Sequence, residues 1–141
     1  MRSTNTTVLI DAGPLIALFD GSDAYHQTVA EFLATKDFFF VSTVAVLTET
    51  SAMLRFSVNA QLDFYRWVMA NGVEIFAIGQ DDMPRIVELC EKYADRPMDF
   101  ADATLVVAAE KTGIREIISI DSDFDVYRVV KKERISNIFQ R

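Results

Sequence analysis

The sequence predicts an α/β protein in which helices cover both faces of a parallel sheet. Short apolar segments rich in β-branched and aromatic residues alternate with longer amphipathic segments along the 141 residues, a pattern typical of a parallel sheet. Half of the residues are hydrophobic, so the chain can bury a substantial core. No repeat, low-complexity tract or Pro/Gly-rich linker divides it, and we expect a single domain over residues 1–141.

Five segments have the length and apolar character of strands, and turn-forming residues separate them. Their ranges are 6–10, 37–42, 73–78, 116–120 and, as an edge strand, 133–139. In a parallel sheet the ligand site lies at the carboxyl ends of the strands, near the point where the strand order reverses. The residues that follow each strand are therefore the first candidates for a functional site.

Six helices are predicted from the spacing of apolar residues and from cap residues. Their ranges are 15–19, 23–35, 43–55, 59–71, 81–94 and 99–112. Pro14 suits the start of the first helix, Ser22 is the expected cap of the second, and Ser42 or Thr43 is the expected cap of the third. Gly113 is placed to end the last helix.

The charge pattern limits the classes of function. The net charge of −7 argues against passive, charge-driven binding of nucleic acid, which requires a basic face. Residues 111–141 nevertheless carry seven basic and five acidic residues, a net charge of +2, whereas residues 1–110 carry seven basic and sixteen acidic residues, a net charge of −9. An acidic pocket that faces phosphates usually acts through a metal ion.

The chain has one cysteine, one histidine and no long apolar run, and these features exclude disulfides, several kinds of metal site and membrane spans. One cysteine, Cys90, cannot form an internal disulfide or a CxxC site, and one histidine, His26, cannot build a zinc site that needs several histidines. No run of about 18 uncharged apolar residues is present, and the N-terminus lacks the layout of a signal peptide. We expect a soluble, cytoplasmic protein with no membrane partner.

Acidic side chains collect at the predicted strand ends. Asp11 directly follows the first strand, and Asp121 directly follows the fourth, with Asp123 two residues later. Asp99 and Asp102 open the helix before the fourth strand, and a spacing of three places them on one helix face. Three separate segments should therefore bring carboxylates to the same edge of the sheet.

Glu49 is predicted to add a carboxylate from an inward helix face. Its neighbours three and four positions away include Val46 and Met53, and no Lys or Arg lies within one helical turn. A buried, unpaired carboxylate is costly unless it binds a metal. Clustered carboxylates repel one another, and a divalent cation would hold them ionised. A set of oxygen ligands favours a hard ion, Mg²⁺ or Mn²⁺.

Each acid also has a purely structural interpretation. Asp99 and Asp102 could be an N-cap and its third-position partner, which is compatible with a role in a site. Asp11 could form a turn, Glu49 could face solvent, and the acids at 121–123 could be loop residues. Because all these acids are predicted to lie at the same edge of the sheet, the metal-site interpretation is favoured.

Rival motifs fit less well. The sequence contains no GxGxxG after a strand, no GxxxxGK[ST] and no GxSxG, which argues against dinucleotide, P-loop and nucleophile-elbow chemistry. A calcium loop from Asp121 would need Gly and Glu where Val126 and Lys132 stand. A phosphoaspartyl phosphatase or receiver could use Asp11, although Gly13 stands where such phosphatases carry a second acid. That class remains an alternative.

Four motifs in order resemble those of PIN-domain ribonucleases, most closely the VapC-type toxins of toxin–antitoxin pairs. They are VLIDAGPLIALFD around Asp11, STVAVLTETSAML around Glu49, MDFADATLVVAAEKTG around Asp102 and IISIDSDFDVYR around Asp121. The resemblance implies a three-layer α/β/α sandwich with a five-stranded parallel sheet. It also implies Mg²⁺- or Mn²⁺-dependent endonuclease activity on RNA.

The resemblance further implies roles for residues and partners. The acids carried over as catalytic metal ligands are Asp11, Glu49, Asp102 and Asp121. Asp99 and Asp123 would be additional metal ligands. A homodimer and a cognate antitoxin protein, which places a peptide segment across the site, are also implied, with tRNA, rRNA or mRNA as substrate. A PIN nuclease for RNA maturation and a non-catalytic PIN-like interaction module remain alternatives.

Overall fold

A five-stranded parallel sheet forms the centre of the computed structural model, which describes residues 5–96 and 98–139. The strands are Asn5–Ile10 (β1), Asp37–Ser42 (β2), Val73–Ile75 (β3), Glu116–Ile118 (β4) and Ser136–Asn137 (β5). Their order is β3-β2-β1-β4-β5, and every neighbouring pair is parallel. The predicted parallel sheet is confirmed.

Six α-helices cover the sheet. They are Ala12–Phe19 (α1), His26–Leu33 (α2), Val44–Met53 (α3), Val58–Met69 (α4), Met83–Lys92 (α5) and Phe100–Thr112 (α6). α1 packs against α2, α3 and α4, while α5 packs against α6. The right-handed crossovers expected for parallel strands place these groups on opposite faces, which confirms the three-layer α/β/α sandwich.

The core is centred on β1 and α6. Val8, Leu9 and Ile10 of β1 are fully buried, as expected for a central strand with helices on both faces. Every residue of the segment 101–109 in α6 is also buried, because this helix packs against both α5 and α3. The apolar run of α6 is therefore a core helix. Among the described residues, no helix has the length and apolar character needed to cross a membrane.

Several predicted boundaries are wrong for local reasons. Ser22 does not cap α2, because its N–H and hydroxyl both bond to Asp20 Oδ1 in the preceding turn, at 2.9 and 2.6 Å, and α2 begins only at His26. Thr43 is the N-cap residue of α3, but its side chain makes no capping bond. Gly113 ends α6 as predicted, with a φ of 83° in the left-handed region that glycine adopts readily.

Three strands are shorter than predicted because pairing with a neighbour limits them. β4 stops at Ile118, whose partner Ile10 is the last residue of β1. β3 pairs only with residues 40–42 of β2, and β5 pairs only with residues 116–117 of β4. Beyond β3 and β5 the ladder continues with a single backbone bond each, from the N–H of Phe76 to the Ser42 carbonyl (2.8 Å) and from the N–H of Ile138 to the Ile117 carbonyl (2.9 Å).

The strand order reverses between β1 and β4. These strands are adjacent in the sheet, and the chain continues from β1 to one side and from β4 to the other. The backbone N–H of Asp11 donates to the carbonyl of Ile118 at 3.1 Å, so the ends of the two strands are held together. Such a switch point leaves a crevice at the carboxyl edge of the sheet.

Candidate active site

Six carboxylates line one cleft at this switch point. The cleft has a volume of about 300 Å³. The acids that line it are Asp11, Glu49, Asp99, Asp102, Asp121 and Asp123. Its other lining residues are Ala12, Gly13, Ile16 and Met53, so no basic side chain is among the described residues that form the wall. The structure brings together all six acids named from the sequence.

Asp11 is the most buried of these acids, with 5% of its surface exposed. Its carboxylate caps α1 by accepting a hydrogen bond from the backbone N–H of Ala12 (2.8 Å), and it also accepts one from Ser119 Oγ (3.0 Å). Burial raises the pKa of Asp11 to about 7, with further contributions from the charges of Asp121 and Glu49, against the opposing effect of the two hydrogen bonds.

Asp102 lies in the first turn of α6 and is 8% exposed. Its Oδ2 accepts a hydrogen bond from Tyr127 Oη at 3.2 Å. Burial raises the pKa of Asp102 to about 8, and the charges of Asp11, Asp99 and Asp121 add to this effect. Burial and the charge of Asp102 also raise the pKa of Tyr127, so the phenol remains a neutral O–H donor.

Asp99 caps α6 and also lines the cleft. Its Oδ1 accepts a hydrogen bond from the backbone N–H of Asp102 at 2.8 Å, which confirms Asp99 as the N-cap. Asp102 does not complete a capping box, because its carboxylate bonds to Tyr127 instead. The Asp99 side chain is exposed. The two acids at the start of an apolar helix are thus explained in part by the cap and in part by the cleft.

Glu49 does not face the core as predicted. It is exposed, and Met53, one turn later, is 59% exposed. This face of α3 therefore forms the rim of the cleft, because helical spacing identifies a face but not what covers it. Partial burial raises the pKa of Glu49, and the charges of Asp99 and Asp121 raise it further.

Asp121 and Asp123 lie in the turn after β4. Asp121 is exposed and follows the end of β4 by three residues rather than directly. Its Oδ1 accepts a hydrogen bond from the backbone N–H of Asp123 at 3.0 Å. Burial and the charge of Asp121 raise the pKa of Asp123, against the opposing charge of Arg96, whose Nε lies 4.0 Å from Asp123 Oδ1.

Two hydroxyl groups that support the site are not assigned to it by the sequence. The sequence pattern favours a strand role for Ser119, yet its hydroxyl holds Asp11. Tyr127 stands 25 positions from Asp102, and no spacing rule connects them. The hydroxyls of the two predicted cap residues of α3 bond within the fold, since Ser42 Oγ donates to the Ile10 carbonyl (2.9 Å) and Thr43 Oγ1 lies 2.8 Å from Thr104 Oγ1.

The chemistry of these donors suits a hard divalent cation. Carboxylate oxygens are the ligands that Mg²⁺ and Mn²⁺ prefer. Burial raises the pKa values of Asp11 and Asp102, and the charges of neighbouring acids raise them further. Within residues 5–96 and 98–139, no three acidic groups form a ready-made ion cage. An ion would therefore have to draw the carboxylates together.

Comparisons with known proteins agree with this architecture. The family model described as PIN domain matches residues 8–130. Ribonuclease VapC26 of Mycobacterium tuberculosis is 27% identical over 116 residues, which cover 81% of this chain and 86% of that protein. The crystal structure of VapC20 of the same organism, described as a sarcin–ricin loop cleaving toxin, superposes with a TM-score of 0.75 at 23% identity, covering 82% of this chain and 91% of that one.

Proposed function

This chain belongs to the PIN domain family, and we propose that it is a Mg²⁺- or Mn²⁺-dependent endoribonuclease that hydrolyses RNA phosphodiester bonds. The observation that carries the proposal is the cleft in which six carboxylates, and no basic residue among the described lining residues, surround the switch point of the sheet. A cluster of this charge is suited to a cation and, through the cation, to a phosphate group.

The two buried acids are proposed to hold the principal ion. Asp11 and Asp102 lie nearest the core, where their hydrogen bonds fix their carboxylates. Glu49 and Asp121 are exposed and complete the set from the rim. Asp99 and Asp123, which also line the cleft, are proposed as additional ligands.

The mechanism follows from these positions. When bound, a divalent ion supplies Lewis-acid chemistry to the scissile phosphate. Glu49 and Asp121 orient or deprotonate the water that attacks the phosphorus in line. The bond between phosphorus and the 3′-oxygen breaks as the bond to the water oxygen forms, and the leaving 3′-oxygen takes up a proton. The products therefore carry 5′-phosphate and 3′-hydroxyl ends, and the 2′-hydroxyl of the RNA takes no part.

The biological setting proposed is a toxin–antitoxin pair. The names of the two relatives support it, since one is called a ribonuclease and the other a toxin. We accordingly propose a cytoplasmic protein that forms a homodimer and is inhibited by a cognate antitoxin protein. The proposed substrate is a cellular RNA: tRNA, rRNA or mRNA.

The direct test is cleavage of total bacterial RNA by the purified protein. With Mg²⁺ or Mn²⁺ we expect new ends that can be ligated as 5′-phosphates, and excess EDTA should abolish them. Asp11→Asn should reduce cleavage by at least about 100-fold, because it removes a charged ligand of the ion. Full activity of Asp11→Asn, or full activity in EDTA, would rule out the proposed mechanism.

A further inference from the structure

Tyr127 contributes a buried phenol to the acidic cleft without lining it. The side chain is fully buried, and its Oη donates to Asp102 Oδ2 at 3.2 Å. Among the described residues, this is the hydrogen bond that reaches the Asp102 carboxylate, whereas the carboxylate of Asp11 accepts two. The orientation of Asp102 therefore depends on one donor.

The ring that carries this donor is itself held in place. Phe124 and Tyr93 contact the Tyr127 ring edge-on, with centroid distances of 5.2 and 5.1 Å, a favourable geometry for aromatic pairs. Tyr93 Oη accepts a hydrogen bond from the backbone N–H of Arg128 at 2.9 Å. The phenol thus has little freedom to leave Asp102.

Tyr127 also connects two parts of the chain that carry acids. Its backbone N–H donates to the carbonyl of Asp123 at 3.3 Å, so its ring is anchored to the turn that bears Asp121 and Asp123. Its hydroxyl reaches Asp102 on α6. The phenol is therefore a direct link between the turn after β4 and the start of α6.

We propose that Tyr127 is a positioning residue that fixes the Asp102 carboxylate relative to Asp121 and Asp123 for binding of a divalent cation. This inference rests on the proposed metal site. The hydrogen bond engages Oδ2 and leaves Oδ1 without a hydrogen bond from the described residues, so one carboxylate oxygen is oriented while the other is available to an ion. Partners of this kind set the orientation of metal ligands, and their loss commonly weakens metal binding 10- to 100-fold.

The test compares Tyr127→Phe with Tyr93→Phe by titration with Mn²⁺, monitored by electron paramagnetic resonance in the absence of RNA. Both variants lose one buried hydroxyl from the same aromatic cluster. Only Tyr127→Phe loses the bond to Asp102, since the Tyr93 hydroxyl bonds to the Arg128 backbone. We expect Tyr127→Phe to raise the Mn²⁺ dissociation constant by about 10-fold and Tyr93→Phe to change it less than about twofold.

An unchanged Mn²⁺ affinity in folded Tyr127→Phe would overturn the proposal, and so would an equal loss in Tyr93→Phe, which would indicate general loosening of the turn. Wild-type protein that binds no Mn²⁺ would instead contradict the proposed function itself. If Tyr127→Phe does not fold, the test uses wild-type protein with ¹³Cζ-labelled tyrosine. Addition of Mg²⁺ should shift the NMR resonance of Tyr127 more than that of Tyr93. Equal shifts, or no shifts although Mg²⁺ is bound, would refute the positioning role.

Discussion

Ser119 Oγ donates a hydrogen bond to Asp11 Oδ2 at 3.0 Å, across the switch point between β4 and β1. Both residues are almost fully buried, and 108 positions separate them in the sequence. The bond joins the residue after β1 to the residue after β4, and thereby holds the deepest carboxylate of the cleft at the boundary where the strand order reverses.

Replacement of Ser119 by alanine should weaken metal binding. The change removes a hydrogen bond to a buried carboxylate and frees Asp11 to rotate, so we expect Mn²⁺ affinity to fall by about 10-fold, as measured by calorimetric titration. Ser42→Ala is the matched control, because Ser42 is equally buried but bonds to the Ile10 carbonyl rather than to an acid. Equal losses in the two variants would show that the effect is structural.

Asp11→Asn should stabilise the metal-free protein at pH 8 while it removes function. The amide can still accept from the Ala12 N–H and donate to Ser119 Oγ, but the buried charge is gone. A pKa raised from 3.8 to about 7 corresponds to a penalty on the order of a few kcal/mol. We expect the Tm at pH 8 to rise by at least about 3 °C, in differential scanning calorimetry with EDTA.

The gain from Asp11→Asn should be much smaller at pH 5 than at pH 8. The folded pKa of Asp11 is about 7 and its ordinary value is 3.8, so the penalty for burying this carboxyl accumulates between these two values and is absent only below the lower one. A gain of the same size at pH 5 and pH 8 would mean that packing, rather than charge, causes it.

The stability of the metal-free wild type should decrease as the pH rises from 5 to 8.5. The folded-state pKa values of Asp11 and Asp102, about 7 and about 8, lie above the ordinary aspartate value of 3.8. The folded state therefore binds more protons than the unfolded state in this interval, and stability falls as those protons leave. Thermal unfolding in EDTA measures this slope, which should be smaller in Asp11→Asn/Asp102→Asn.

Mn²⁺ or Mg²⁺ should reverse this trend. The cation binds the ionised carboxylates and stabilises the folded state by mass action, so the increase in Tm on addition of Mg²⁺ should be larger at pH 8.5 than at pH 5.5. An increase that is independent of pH would contradict a site built on Asp11 and Asp102.

Asp99 should show separable capping and charge effects. Asparagine caps a helix about as well as aspartate, whereas alanine costs about 1 kcal/mol, so Asp99→Asn should keep the Tm within about 2 °C and Asp99→Ala should lower it. Both variants remove a carboxylate from the cleft, and both should weaken Mn²⁺ binding a few-fold. Wild-type affinity in Asp99→Asn would restrict Asp99 to the cap.

The sequence predicts the parts of this fold that depend on local chemistry. The range of β2 is predicted without error, and α6 is correct from its aspartate cap to its glycine end. The strands β3, β4 and β5 are shorter than predicted, because the length of a strand depends on where the neighbouring strand ends. The start of α2 is wrong because Ser22 bonds to Asp20 instead of capping the helix.

Five of the six acidic residues that line the cleft are predictable because they follow strands or open helices, and Glu49 lies in the middle of α3. The sequence does not predict what surrounds each acid. Glu49 is exposed, although helical spacing predicts that its face of the helix is buried. The hydroxyls of Ser119 and Tyr127 reach their carboxylates only after the chain has folded, since they come from segments far from Asp11 and Asp102 along the sequence.

Expression of wild type and of Asp11→Asn/Asp102→Asn in a bacterial host, with new 5′-phosphate ends mapped in total RNA, tests whether these carboxylates catalyse RNA cleavage. We expect the wild type to arrest growth and to produce discrete new ends, and the double variant, folded to the same extent, to produce neither. The same ends in both strains, or none in either despite folded protein, would contradict an endoribonuclease that depends on these carboxylates.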